Sequence, residues 1–229
     1  MLNWLQQFSI FCLLNPCGYG PESGRFPFMV AAGAVQVFEG KEGDCFSTLE
    51  RAAATKQWLF GHIGYDCKNE TEQLASVHPD HLQFPGLFFF QPDIILQFGE
   101  SEISIASISR SPRTVWDEIK NTPVTGNKPV SSMPLHLRSR FTREEYVHTV
   151  QQLKKHIQRG DCYEINFCQE FYAEQAHINP LSAYQALTAF SPNPFSAFYR
   201  LHNRYLVCAS PERFLQRTGN RLISQPIKG

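Results

Sequence analysis

The sequence has no surplus charge of either sign: Lys and Arg together number 21, and so do Asp and Glu. Without a net field nothing draws the chain to nucleic acid or to an anionic membrane, and an anionic ligand needs a local pocket. Long apolar runs are also missing. The richest one, "GLFFFQPDIILQF", is broken by Pro92 and Asp93 and falls short of the roughly 18–20 residues that span a bilayer. No Lys or Arg precedes Arg25, so the basic start of a secretory leader is absent, and the opening "MLNWLQQFSIFCLLNPCGYG" reads as a first strand. Neither G-x-G-x-x-G nor G-x-x-x-x-G-K-[ST] occurs, which leaves dinucleotide and P-loop chemistry without support. The expectation is a cytoplasmic protein with no nucleic-acid or membrane partner.

Paired cysteines are lacking too. The seven cysteines are odd in number, scattered, and never spaced C-x-x-C. Reduced, mostly buried thiols are therefore expected, with neither a disulfide framework nor a zinc site. His78 and His81 in "HPDH" have no neighbouring ligand cluster, and Pro79 between them marks a surface loop.

What is present is material for a core: 229 residues, 42% of them hydrophobic and 13% aromatic. Up to about residue 110 the apolar runs "FPFMVAAGAVQVF", "KQWLFGHIGYD", "LFFF" and "ISIAS" read as strands, with a helix near Ser47 to Thr55. Ser111-Pro112 opens a helix through "RTVWDEIK", with serine as N-cap and proline in the first turn. Turn formers then fill "NTPVTGNKPVSSMP", the one linker, taken as residues 121–134. Beyond it, Thr142 and Glu145 form a capping box, and Tyr146, Val150, Leu153 and Ile157 repeat at helical spacing until Gly160. "DCYEINFCQEFYA" alternates Tyr163, Ile165, Phe167 and Phe171 against Glu164, Asn166, Cys168 and Glu170, which predicts a strand with one polar face. A helix from Asn179-Pro180 and four short strands follow, the last two joined at "TGN". Strands with helices packed on a large sheet predict an α+β fold.

Three groups carry chemistry. Glu212 lies in "SPERF", at a break between two strands. Lys228 lies in "PIKG". Glu164 and Asn166 line the polar face of the predicted strand. Taken singly, Glu212 reads as a surface partner of Arg213, Lys228 as a solvated terminal charge, and the polar face as a half-exposed strand. Taken together, Glu212 and Lys228 sit at matching ends of strands joined by the "TGN" turn. A carboxylic acid and a nucleophilic amine at one pocket make an acid-assisted substitution possible. The residues alone do not name its substrate.

In order along the chain, "GDCYEINFCQEF", "SPNPFSAFY", "CASPERF" and "SQPIKG" resemble the chorismate-binding enzymes, and "GHIGYDCKNETEQL" and "LFFFQPDIIL" are similar to that family's N-terminal region. The resemblance implies a sandwich of large antiparallel sheets with outer helices, here incomplete. It implies an N-terminal region over 1–120, and over 135–229 the first part of a chorismate-binding region that stops after P-I-K-G.

Within the family, lysine at the Lys228 position marks the branch that makes 4-amino-4-deoxychorismate for para-aminobenzoate and folate, whereas anthranilate synthases carry alanine. The resemblance makes Lys228 the nucleophile on chorismate and Glu212 the general acid. Glu164 takes the place of a water-activating lysine found in isochorismate and salicylate synthases, and Asn166 joins it at the substrate pocket. Pro194, Phe195 and Ser196 match a stretch that lines a tryptophan pocket in some relatives, although core packing accounts for them as well. A glutamine amidotransferase is the implied partner and Mg2+ the implied cofactor, its ligands lying in the half that family members carry past P-I-K-G. The chain by itself is then an inactive portion. An anthranilate synthase, or a non-catalytic remnant binding an amino acid or the amidotransferase, are the alternatives.

Overall fold

A seven-stranded sheet in which every neighbouring pair is antiparallel dominates the larger of two compact units. The computed structural model of the chain describes residues 1–19, 27–75, 78–124, 126, 129–131 and 133–227. One unit comprises Met1–Asn127 with Pro180–Gly229, and the other Lys128–Asn179.

In the larger unit a short helix α1 (Leu2–Leu5) precedes β1 (Ile10–Asn15) and β2 (Phe28–Gly40). Then come α2 (Cys45–Ala54), β3 (Phe60–Ile63), a 3-10 turn at Tyr65–Glu70, β4 (Leu87–Phe98), β5 (Ile103–Ser107) and α3 (Pro112–Asn121). Its second segment adds α5 (Pro180–Phe190), β8 (Phe195–Leu201), β9 (Arg204–Ser210), β10 (Arg213–Thr218) and β11 (Arg221–Gln225). The smaller unit holds β6 (Arg138–Ser139), α4 (Arg143–Arg159) and β7 (Phe171–Tyr172). The sheet order is β3-β4-β2-β1-β8-β9. β2 pairs along most of β4, so β3 and β5 share the other edge of β4, against residues 87–90 and 94–98.

Both faces of this sheet are buried, which is why its strands read as almost continuous apolar runs. Phe11, Leu13, Val30, Ala32, Ile94, Leu96 and Phe198 face one core with Trp4, Val115 of α3 and Tyr184 of α5. Their alternating neighbours Ile10, Cys12, Met29, Ala31 and Tyr199 form a second core on the opposite face, joined by Phe88 and Phe90 from the part of β4 beyond the register shift at Ala34–Gln36. The sheet curls around that second core. His62 on β3 and Tyr199 on β8 have three strands between them, about 19 Å in a flat sheet at roughly 4.8 Å per step. Their ring centroids are 5.6 Å apart. Close backbone approach at the curling edge requires Gly61, where a Cβ would stand 1.9 Å from the carbonyl oxygen of Phe88.

Local signals predicted several elements well. Ser111 Oγ accepts the Thr114 N–H at 3.1 Å, with Pro112 as the first helical residue. In the smaller unit Thr142 Oγ1 accepts from Glu145 N at 3.2 Å, while the Glu145 carboxylate accepts from Thr142 N at 2.8 Å. Gly160 then ends α4 in the left-handed conformation. Helix α2 begins two residues before the predicted Ser47. The Glu70 carboxylate, carried on the 3-10 turn, takes the N–H groups of Gly43, Cys45 and Phe46. Those donors, Cys45 first, hold the Glu70 carboxyl below the usual carboxylate range.

Two expectations are corrected. The strand predicted across Tyr163 to Phe171 does not form: only Phe171–Tyr172 pairs, with Arg138–Ser139. Alternation sets which side chains share a face, but a strand also needs a neighbouring strand along its length; among the described residues no strand pairs with 163–170, although the Glu170 carbonyl accepts the Arg140 N–H at 3.1 Å beside the short β6–β7 pair. Tyr163 is accordingly 89% exposed, and only Phe167 packs, against Phe141 and Tyr146. The thiols are all free, but only Cys12, Cys45 and Cys67 are buried, and Cys168 is exposed. Cys168 is one of the residues left uncovered where that strand fails to pair.

Candidate functional site

One end of the large sheet brings together two of the motifs that the sequence singles out, "SPNPFSAFY" and "CASPERF". Phe195 is in register with Ser210, so the start of "PFSAFY" lies beside the end of "RYLVCAS". Asn15, the last residue of β1, pairs with Ser196 on the other side of β8. From Ser210 the chain turns through Pro211 into β10. Ser210 Oγ fixes this turn, accepting the Glu212 N–H at 3.3 Å and donating to the Glu212 carbonyl at 3.2 Å. Arg213 then lays its guanidinium 5.4 Å from the centre of the Phe195 ring and hydrogen-bonds Gln216.

β10 and β11 form their own two-stranded ribbon, joined by the expected hairpin turn with Gly219 at φ 59°. Arg213 pairs with Gln225, so Glu212, one residue earlier, stands at the end of the ribbon where β11 runs out into Pro226 and Ile227. Its carboxylate side chain is exposed. Lys228 and Gly229 lie outside the described residues. Glu164 and Asn166 belong to the Lys128–Asn179 unit, exposed on the stretch that forms no strand.

Pro194, Phe195 and Ser196 open β8. Ser196 is 1% exposed, and its hydroxyl donates to the Asn193 carbonyl at 2.8 Å and accepts from the Cys17 thiol at 3.4 Å. These contacts are packing and turn-fixing contacts. A groove of about 480 Å³ lies nearby, bordered by Asn15, Cys17, Phe28, Tyr184 and Pro192, but not by Pro194, Phe195 or Ser196. Asn15 donates to the Tyr184 hydroxyl at 2.9 Å and accepts the Cys17 N–H at 2.8 Å. Burial raises the Tyr184 phenol above its ordinary value. Sequence reasoning missed this Asn15–Tyr184 link, since the two residues stand 169 positions apart. Its only local sign is the turn-forming Asn15-Pro16.

Among the described residues no group of three or more His, Cys, Asp and Glu side chains is gathered to hold a metal. They do not fit a magnesium site. The "HPDH" loop is exposed, with the Asp80 carboxylate accepting the N–H groups of Leu82 and Gln83, both at 2.9 Å. Among the described residues no helix is long and apolar enough to cross a membrane.

The solved structure of anthranilate synthase component I from Streptococcus pneumoniae has the same fold, with a TM-score of 0.73 at 19% identity over 86% of this chain and 53% of that one. Among curated proteins, anthranilate synthase component 1 of Thermus thermophilus is 27% identical over 185 residues, 75% of this chain and 39% of its own length. Aminodeoxychorismate synthase component 1 of Klebsiella aerogenes is 29% identical over 172 residues, 74% of this chain and 37% of its own. The chain thus spans less than two-fifths of the length of these two curated relatives. Relatives bearing either name match about equally well. The chorismate binding enzyme family itself matches residues 24–229, nearly the whole sequence. The chain belongs to that family.

Proposed function

We propose that this chain is the N-terminal portion of an aminodeoxychorismate synthase component I, which turns chorismate and ammonia into 4-amino-4-deoxychorismate. The observation that carries the choice over anthranilate synthase is Lys228 in Pro226-Ile227-Lys228-Gly229, three residues after the β11 position that pairs beside Glu212. In the proposed reaction the Lys228 amine forms a bond to C2 of chorismate as the C4–O bond breaks. Glu212 gives that oxygen a proton, and it leaves as water. Ammonia then bonds to C4, the C2–N bond breaks, and the Lys228 amine is regenerated. Dividing one difficult substitution into two in this way is what a covalent amine contributes. A glutamine amidotransferase partner supplies the ammonia, and the ligands for Mg2+ come from sequence that the curated relatives have and this chain does not align to. Glu164 stands where related enzymes place a water-activating lysine, which disfavours water as the nucleophile.

The test appends the uncovered C-terminal part of the Klebsiella aerogenes relative after Gly229 and supplies chorismate, Mg2+ and ammonium. Chromatography is expected to find 4-amino-4-deoxychorismate, and mass spectrometry an adduct on Lys228 that Lys228→Ala abolishes. Anthranilate as product would move the chain to the other branch. An adduct that persists in Lys228→Ala would remove the nucleophile assignment.

A further inference from the structure

Of the buried thiols, two touch. Cys12 lies in the second core of the large sheet, whereas Cys45 and Cys67 form a third cluster with Leu87. Cys45 is the first residue of α2, and Cys67 lies on the 3-10 turn after β3, so the fold brings the pair together from two elements. Glycines make the room for it. A Cβ on Gly86 would stand 3.1 Å from Cys45 Sγ, and one on Gly40 would stand 3.4 Å from it. The carbonyl oxygen of the same Gly86 accepts the Cys67 S–H at 3.0 Å, so one residue abuts both sulfurs. The two thiols also interact directly, and the Cys45 S–H reaches the Glu70 carboxylate.

A buried cysteine on its own behaves as a small apolar side chain. A touching pair has a further chemistry, because a disulfide forms without large backbone movement only where two cysteine side chains already face each other. Burial first, and then the neighbouring Cys67 and Glu70, push the Cys45 thiol above its ordinary value. Cys45 is thereby held protonated and reacts only with a proton acceptor at hand. Glu70 is that acceptor, its carboxylate ionised under the N–H groups of Gly43, Cys45 and Phe46. The residues leading into each cysteine, Lys41 to Gly43 and Tyr65 to Asp66, are exposed, so a local opening of either segment admits a small molecule.

We propose that Cys45 and Cys67 are a reversible oxidation site, a dithiol that a low-molecular-weight disulfide converts into a disulfide fastening the start of α2 to the 3-10 turn. In the first step the Cys67 sulfur bonds to one sulfur of the small disulfide. The S–S bond of that molecule breaks, and one small thiol leaves with the Cys67 proton. Cys45 then passes its proton to Glu70 and bonds to the Cys67 sulfur. The mixed disulfide breaks, and the second small thiol leaves with the proton from Glu70. The two cysteines are oxidised by two electrons and the small disulfide is reduced to two thiols. The inference is independent of which product the family member makes.

The test equilibrates the 229-residue chain with 2-mercaptoethanol and its disulfide at fixed ratios, once in native buffer and once in urea. Remaining thiols are alkylated, and a non-reduced digest is read by mass spectrometry. The expected result is a peptide pair linked through Cys45 and Cys67, lost again in excess 2-mercaptoethanol. Its ratio of oxidised to reduced form should be at least about tenfold higher in the native chain than in urea, because the fold holds the thiols together. Cys67→Ser is expected to remove the link and leave Cys45 joined to no other cysteine. Equal ratios in native buffer and urea overturn the proposal, since the fold then contributes nothing. Recovery of Cys45 and Cys67 as free thiols where the exposed Cys168 carries a mixed disulfide overturns it too, as does a Cys45 link that survives Cys67→Ser.

Discussion

Replacing Phe198 by alanine tests whether the core on the helix face holds the candidate site's strands in place. Phe198 is fully buried in β8, edge-on to Phe11 with ring centroids 5.1 Å apart, stacked on Tyr184 at 5.1 Å and on Tyr205 at 6.2 Å. A buried phenylalanine cut back to alanine costs about 3–5 kcal/mol. Phe198→Leu, which keeps aliphatic volume but loses aromatic pairs worth roughly 0.5–1.5 kcal/mol each, is expected to cost about 1–3 kcal/mol. Against a total stability of about 5–15 kcal/mol the alanine change is severe. With two compact units a single global transition is not assured, so the probe must be local. Trp4 serves: it is 2% exposed in the same core, and its indole N–H donates to Glu118 at 3.2 Å. In a Trp58→Phe, Trp116→Phe background its fluorescence during urea unfolding should show the midpoint for Phe198→Ala falling by roughly 1–2.5 M, taking m as about 2–3 kcal/mol/M. A fall below about 0.3 M with unchanged m would refute the packing argument.

Other expectations concern the acid and a buried histidine. In the protein extended past Gly229, Glu212→Gln should lower turnover by roughly 10²–10⁴-fold while chorismate binding is kept, as stopped-assay rates and calorimetry would show; unchanged turnover would leave Glu212 a surface carboxylate. His62 hydrogen-bonds the Pro85 carbonyl through Nε2 at 2.9 Å and packs on Phe84 and Tyr199, and burial lowers its pKa from 6.5. The unfolded chain therefore takes up the proton first as pH falls. The stability that neutral His62 contributes is full above about pH 6.5 and declines below it. Thermal unfolding of His62→Gln should depend less on pH between about 7 and 5 than the parent does; equal slopes would show that His62 is not responsible.

What the sequence made legible was local. The Ser111 cap, the Thr142–Glu145 box, the Gly160 stop and the turn at "TGN" are each decided within a few residues, and all appear in the structure. Pairing over long separations was not legible. Nothing around Ile10 to Asn15 shows that these residues pair with Ser196 to Leu201, which joins both ends of the chain in one sheet. The same limit explains the strand that failed over Tyr163 to Glu170, where the alternation is present in the sequence but no strand of the described residues lies alongside to pair with it. It also explains why α2 starts early: its cap is Glu70, 25 residues beyond Cys45, and no nearby spacing announces it. At the candidate site the order of motifs was readable. That "SPNPFSAFY" and "CASPERF" lie side by side at one end of β8 and β9 depended on a register that only the folded chain supplies.

The 229-residue chain by itself is expected to form no 4-amino-4-deoxychorismate, even with excess chorismate, ammonium and Mg2+. Proton delivery to a leaving hydroxyl requires the acid and the substrate to be held together, and orientation accounts for a large part of such rates. Here Glu212 is exposed, and Phe214, two residues further on, stands almost wholly in water. The Ser210 hydroxyl fixes the backbone of this turn but leaves the Glu212 carboxylate in water. Closing such a site strengthens every electrostatic contact within it by excluding water. The measurement is chromatography of the reaction mixture from purified soluble chain, coupled to an aminodeoxychorismate lyase. Steady product that disappears in Lys228→Ala would refute this expectation and show that Glu212 and Lys228 work together in the 229-residue chain alone.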